Sequence, residues 1–465
     1  AQVLAGMEGP GPGAHVMRAA VIGGGWAGMA AAVALAQGGA QVTVLEAART
    51  LGGRARRVAV TGADGSELSL DNGQHILIGA YTQTLGLMRT VGIDVPTALL
   101  RTPLAVTYPD QTGLQLPDLP PPWDALVGVV RARGWDWADK LALLRACAGW
   151  QIRGFQCDAH WSVAQLCHGL TPRLLQEFIE PLCVSALNTP AHEASAQVFL
   201  RVLRDSLFSG RGGSNLLLPR MDLGALLPDA AARWLAAQGG TVHTGQRVQQ
   251  LQHTHTSATE GWLVDGVPFD AVVLATHSTE SARLVRAALP SLPAAAQAPI
   301  AQWADTAQAL RFTAIGTVYA MAPGAGTPHT LAQPMLALRP TPQEPAQFVF
   351  DRSHLGGQAG LLAFVVSASE QDRATLEQQV LQQAQRQLGL SGLIPLQTVV
   401  EKRATFACTP ALQRPAVALL PSLCAAGDYT EGPYPATLEG AIMSGLQAAE
   451  HLLCGQQATA AAPSN

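Results

Sequence analysis

The hydrophobic pattern is most regular near the start of the chain. Residues 19–22 are a short apolar run of the kind a strand buried on both faces requires. Residues 27–37 are nearly all Ala, Val, Leu or Met and predict a buried helix. Residues 41–45, QVTVL, alternate and read as a second strand, so 19–45 predicts a βαβ unit with parallel strands. The stretch carries no charge and is long enough to span a bilayer, but its glycines and β-type ending argue against that. Further on, helical periodicity predicts helices over 81–91, 140–150, 173–185 and 194–208, and Asp222 reads as the cap of one running to 238. Strands are expected at 241–251, around a hairpin over 262–269 turning at Asp265-Gly266, and at 271–276. Others are expected near 312–320, 347–351 and 361–367, before a helix over 369–388. A last small-residue strand ends at Gly427-Asp428, and a helix begins near Ala436.

Chemistry enters at the turns. Gly23, Gly25 and Gly28 form G-x-G-x-x-G between the first strand and helix, and Glu46 closes the second strand 18 residues later. Each position has a reason: Gly23 permits the turn, Gly25 lets backbone amides approach a pyrophosphate, and Gly28 lets helix and strand pack closely. The helix start at Trp26 and Ala27 adds free N–H groups and a positive dipole end. Glu46, with Ala47 beside it, is placed for a ribose diol. An ADP moiety is the ligand this implies, against the plainer reading of a Gly-rich turn. The turn at 49–57 carries Gly53 and Arg54, and Asp71-Asn72-Gly73-Gln74-His75 is either an ordinary turn or a set of polar groups beside a ligand.

Composition narrows the classes. The 465 residues are too many for one simple core. Hydrophobic residues make up 48% and charged ones only 13%, about half the usual ~25%. A net charge of −4 without basic runs gives no case for nucleic acid. Seven cysteines without CxxC spacing fit reduced thiols of a cytoplasmic protein, and no His/Cys/acid spacing names a metal site. Residues 117–122 are proline-rich, and five of the nine tryptophans follow by residue 161. There the helix at 140–150 is either an ordinary core helix or one lying in a bilayer interface.

VIGGGWAGMAAA, LGGRARR, DNGQHILIGAY and GDYTEGPYPATLEGAIMSG together resemble the amine oxidase and phytoene desaturase superfamily of FAD enzymes. GGSNLLLP (212–219), EKRATF (401–406) and YPATLEGA (434–441) are similar to its bacterial squalene-associated branch, which removes the hydroxyl of hydroxysqualene to make squalene for hopanoids. The resemblance covers 17 to about 453. It implies an α/β fold, a Rossmann-like FAD-binding domain of the amine oxidase type with a mixed α+β substrate-binding domain inserted. The expected division is a disordered extension at 1–16, FAD-binding segments 17–80, 214–290 and 396–455, substrate segments 81–213 and 291–395, and a disordered tail at 456–465. It also implies that Gly53 and Arg54 approach the FAD, Gly73 and Gln74 flank the flavin, and a strand around Val248 meets the adenine. Gly427 and Asp428 hold the ribityl or pyrophosphate part, and Thr437 and Leu438 aim the helix start at the flavin. His75, Glu431 and Tyr434 are the candidate catalytic groups, His75 favoured as proton donor and Asp71 kept mainly structural. Partners implied are a hydrophobic isoprenoid, an electron donor that no motif identifies, and the inner face of the cytoplasmic membrane as a peripheral contact. A carotenoid-type desaturase, an amine oxidase and a noncatalytic flavin or lipid carrier stay open as alternatives; Lys140 and Lys402 are the only lysines an amine oxidase could place near the flavin.

Overall fold

The computed structural model describes residues 16–61, 65, 67–208, 210–255, 260–323, 329–368 and 371–460. Nearly all of the expected extension and the last five residues of the expected tail lie outside these; residues 456–460 continue the C-terminal helix Leu438–Ala460.

Three distant stretches of chain build one sheet. Thr241–His243, Gln41–Leu45, Arg18–Ile22, Ala271–Leu274 and Leu423–Ala425 lie side by side in that order, all parallel, with Ala418–Leu420 antiparallel at the edge. The apolar run 19–22 sits at the centre and is fully buried. Helix Trp26–Gln37 covers one face and is covered in turn by Leu438–Ala460. Small residues let these helices touch: a Cβ on Gly445 would stand 2.2 Å from the Ala27 carbonyl oxygen.

A second, antiparallel sheet runs Met335–Ala337, Phe348–Asp351, Leu361–Ser367, Phe312–Met321 and Ile394–Phe406. Its side chains alternate between two fates. Val349, Phe364 and Val366 pack with Leu376, Val380 and Ala384 of helix Arg373–Leu388, while Phe348, Phe350 and Val365 face an internal chamber. Strand Ile394–Phe406 runs across the expected boundary at 396 and pairs with Phe312–Met321, not with the parallel sheet. Helices Trp123–Arg131, Trp137–Ile152, Glu180–Leu187 and Ala196–Leu207 complete this half. No helix among the described residues is long and apolar enough to cross a membrane.

Several elements depart from the expected pattern, each for a local reason. The strand expected over 241–251 stops at His243. Gly245, in the left-handed region, donates to the Ala48 carbonyl and Gln246 to that of Glu46, so the chain crosses the end of the neighbouring strand. Asp265 then accepts from the Gln249 and Gln250 amides, and Val248 lies in a loop. The helix expected over 173–185 is interrupted by a π turn at Leu175–Ile179. Pro181 has no N–H for the Glu177 carbonyl, which accepts the Tyr108 hydroxyl instead at 3.0 Å. Asp222 does cap its helix, through the Ala225 amide at 2.9 Å, but that helix breaks at Leu227 before Pro228. The helix expected from 369 begins at Arg373, capped by Asp372.

Candidate active site

The βαβ turn forms one wall of a cleft of about 520 Å³. Gly23 has φ +113°, and a Cβ there would lie 2.4 Å from the Ala275 carbonyl oxygen. Gly28 does not line the cleft; its place against Gly23 sets how closely helix and strand approach. Gly25 caps helix Trp26–Gln37 without any side chain, which leaves the first helical amides and the positive dipole end facing the cleft. A Cβ on Gly25 would meet only Gly53, 3.8 Å away across the cleft. Trp26 and Ala27 line the same wall, and the Trp26 indole donates to the Ala55 carbonyl, fixing the arginine turn over it. Glu46, Ala47 and Val248 line the far end. The Glu46 carboxylate accepts from the Gly24 and Ala48 amides, each at 2.7 Å, which holds its remaining lone pairs toward the cavity.

The other end of the cleft is made by residues far apart in sequence. Arg54 forms an ion pair with the buried Asp428 and donates to the Ala404 carbonyl at 2.5 Å, tying the first turn, the second sheet and the C-terminal motif together. Burial is the largest single influence and works against its charge, but Asp428, with Glu401 and Tyr429, raises its pKa on balance. Gly427 donates to Ser444 at 2.8 Å, and Thr437 caps the last helix through the Gly440 amide at 2.9 Å, so Thr437 and Leu438 stand at the open helix start. His277 was not singled out from sequence. Its Nδ1 accepts from the Thr279 amide, which leaves Nε2–H as a buried donor with no partner among the described residues. Burial, then the neighbouring Arg54 and Arg403, push its pKa down to about 4, so it is neutral and faces the cleft. Free amides at one end, a ribose-competent carboxylate and an orphaned imidazole donor are what a dinucleotide carrying a polar ring system needs.

At Arg54, His75, Ala404, Thr405, Ala436, Thr437 and Leu438 the cleft meets a second, mainly apolar chamber of about 290 Å³. Its walls include Ile76, Leu104, Leu182, Leu203, Phe348 and Phe350. Gly73, Gln74 and Tyr434 also line this chamber, beside Asn72, Asp205 and Glu401. His75 donates Nδ1–H to the Gly73 carbonyl at 2.9 Å, leaving Nε2 as an acceptor. Burial is the largest influence on His75 and depresses its pKa, Arg54 adds to that, and the Gly73 contact opposes both. The ring therefore rests neutral, contrary to the expectation of a histidine holding a proton near neutral pH. Tyr434 donates its hydroxyl to Asp205 at 2.8 Å, and burial together with Asp205 pushes its pKa up to about 12.

Glu431 is not brought to this group. It is exposed and lines a separate polar cavity of about 360 Å³, which reaches Asp428 and Tyr434 from the other side. Asp71 is buried behind the chamber, where its carboxylate accepts the Leu223 amide at 2.8 Å and its carbonyl the Tyr319 hydroxyl at 3.0 Å. Lys140 and Lys402 line neither space. All seven cysteines are free thiols. Away from both cavities, His329, Asp351 and His354 come close enough to share an ion. Asp351 is, however, already engaged by the Thr330, Leu331 and Ser353 amides and the Ser353 hydroxyl.

The sequence profile of flavin containing amine oxidoreductases matches residues 26–453. Among curated relatives, hydroxysqualene dehydroxylase of Rhodopseudomonas palustris is 28% identical over 461 residues, covering 94% of this chain and 99% of its own. That of Sinorhizobium fredii is 26% identical, with 92% and 97% covered. An oxidoreductase of Methanosarcina mazei shares the fold at TM-score 0.69 and 17% identity, over 93% of this chain and 100% of that one. Cyclohexylamine oxidase of Brevibacterium oxydans does so at TM-score 0.60 and 17% identity, over 95% and 100%. With a profile that spans most of the chain, the protein belongs to the flavin containing amine oxidoreductase family and is an FAD-dependent oxidoreductase.

Proposed function

We propose that this enzyme reductively dehydroxylates hydroxysqualene to squalene. The observation that carries the reading is the mainly apolar chamber joined to one end of the cleft, with no lysine at the junction. The full-length similarity to hydroxysqualene dehydroxylases supports the same substrate. In the reaction an allylic C–O bond breaks and a C–H bond forms; a hydride and a proton are consumed and water leaves. Reduced FAD, when bound, supplies the hydride.

The chain's own residues do the rest. Apolar walls take the isoprenoid tails and exclude water, which strengthens every polar contact at the junction. His75 accepts a hydrogen bond from the substrate hydroxyl at Nε2 and orients the carbon that bears it. Tyr434 stands at the chamber wall with its hydroxyl donating to Asp205. The cavity containing Glu431 touches the other side of Tyr434, so the proton consumed enters past that hydroxyl. Glu431 stands at the outer end of this route and does not meet the reacting carbon. The substrate, insoluble in water, is collected from a membrane surface.

The test is anaerobic. Purified flavoprotein reduced with dithionite is mixed with hydroxysqualene while flavin absorbance and product mass are followed. Stoichiometric reoxidation with squalene formed supports the reading. Bleaching of the oxidised enzyme by squalene or a longer polyene, with no reoxidation by the alcohol, would instead make this a desaturase.

A further inference from the structure

Large apolar side chains at the surface are concentrated in one place. Of the eleven that are exposed among the described residues, eight fall between residues 119 and 161. Helix Trp137–Ile152 turns an apolar stripe outward: Trp137, Leu141 and Ile152 are 65%, 45% and 86% exposed, with Arg145 and Ala148 on the same line. The adjoining helix Trp123–Arg131 exposes Trp123, Leu126 and Val130 at spacings of three and four, again one stripe. Lys140 joins the two, donating to the Val130 carbonyl at 2.9 Å with its ammonium 5.3 Å from the Trp137 ring centre.

The charge around this face is opposite to that of the whole. Residues 123–153 carry five cations against three carboxylates, in a chain of net charge −4. Asp124 and Asp139 are buried, and Asp136 lies 3.8 Å from Arg173. Among the described residues no carboxylate pairs with Arg131, Arg145 or Arg153. Past the end of the longer helix, Phe155 packs on Phe208 at 5.1 Å, and Phe208 directly follows Leu207 of the chamber wall. The end of that helix thus packs beside the chamber wall.

We propose that these two helix faces dock the protein on an anionic phospholipid bilayer, indoles at the headgroup boundary and the arginines on lipid phosphates. This rests on the reading above that the substrate is an isoprenoid drawn from a membrane. A second copy of the chain fits less well, because pairing through this face would set unpaired arginines against one another. Bilayer phosphates supply the missing negative charge.

The FAD-loaded full chain is floated with vesicles of phosphatidylcholine alone and of equimolar phosphatidylcholine and phosphatidylglycerol. The protein is expected to float with the anionic vesicles and to stay behind with the neutral ones. Arg131→Gln and Arg145→Gln should each weaken binding roughly five-fold. Trp137→Ser with Leu141→Ser should abolish flotation while turnover of detergent-solubilised hydroxysqualene is unchanged. Absence of flotation, or equal flotation with neutral vesicles, would overturn the proposal. So would a double variant whose only change is loss of a dimer in sedimentation. Turnover from detergent separates this from the reaction reading: flotation without turnover removes the dehydroxylase and keeps the docking face, and turnover without flotation does the reverse.

Discussion

The cleft at the βαβ turn is made largely of backbone, whereas the chamber beside it is made of side chains. At the cleft, Gly23, Gly25 and Gly28 act by lacking a side chain, and the helix start offers amides. At the chamber, Ile76, Leu104, Leu203 and Phe350 arrive from four separate stretches of chain. Backbone recognition suits a cofactor whose shape is constant, because it depends on a few positions in one continuous segment. A chamber for an apolar substrate needs only bulk and shape, so many sequences can supply it and each position matters less. The two regions should therefore fail differently when mutated.

The largest effect expected is at Gly28. A Cβ there would sit 1.9 Å from the Gly23 carbonyl oxygen and 3.0 Å from the Ala275 side chain, with backbone that cannot give way. Gly28→Ala is expected to yield protein without flavin and destabilised by about 3 kcal/mol, read by absorbance and chemical denaturation. Gly25→Ala sharpens the point. Its Cβ has room within the protein, so the apoprotein should denature like the parent while FAD content falls at least tenfold. If the two variants lose stability alike, the glycines serve the fold and not the ligand.

That contrast also explains what could be read in the chain beforehand. Residues 18–46 make their own sheet and turn, and the spacing of Gly23, Gly25, Gly28 and Glu46 is a local signal. Arg54 and Asp428 were each named, but their ion pair closes a loop of hundreds of residues that no spacing displays. His277 left no trace because an isolated histidine after a strand has no pattern; only its orphaned Nε2 marks it. Val248 reaches the cleft from a loop and not from the expected strand, since Gly245 and the Asp265 cap redirect the chain by contacts outside the segment. Pro181 and Pro228 are helix breakers by residue type alone, and each stands where the expected helix is interrupted. Strand Ile394–Phe406 shows the converse: its residues resemble a family motif, yet the pairing with Phe312–Met321 is a long-range fact.

Arg54 is where the two regions meet, so its loss should injure both. Arg54→Met strands Asp428, which is 8% exposed, and frees the Ala404 carbonyl. About 3 kcal/mol of stability is expected to go, allowing for the partial exposure of the arginine itself. Asp428→Asn in the same chain should recover part of it. A double variant no better than the single would mean the pair does not couple the sheet to the cleft.

Asp71 tests the seam behind the chamber through pH. Burial is the main cause of its pKa being pushed up to about 6 from 3.8; the Leu223 amide and Arg352 only partly oppose it. Between these values the folded protein holds a proton that the unfolded chain has released, so stability falls as pH rises from about 4 to about 6 and then levels off. The full penalty is up to about 3 kcal/mol. Asp71→Asn keeps an acceptor for Leu223 and should flatten that slope, in denaturation curves taken across the range. An unchanged slope would place the titration elsewhere.

The smallest effect expected is at His75, and it distinguishes two roles that share one position. As a proton donor His75 would contribute roughly 10²–10⁴-fold, and the rate would fall as pH rose through its pKa. Its geometry says otherwise: Nδ1–H is committed to the Gly73 carbonyl, and burial depresses the pKa below the ordinary histidine value, so Nε2 carries a lone pair at neutral pH. A hydrogen-bond acceptor that orients an alcohol is worth about 1 kcal/mol. His75→Ala should therefore lower kcat/KM for hydroxysqualene about fivefold with the pH profile unchanged in shape, and His75→Gln, which retains an acceptor, should recover most of it. A loss near a thousandfold with one limb of the profile gone would return His75 to the acid's role and leave Tyr434 as a wall residue. The modest outcome instead takes the acid's role from His75 and leaves it to be sought on the side of the chamber where Tyr434 meets Asp205.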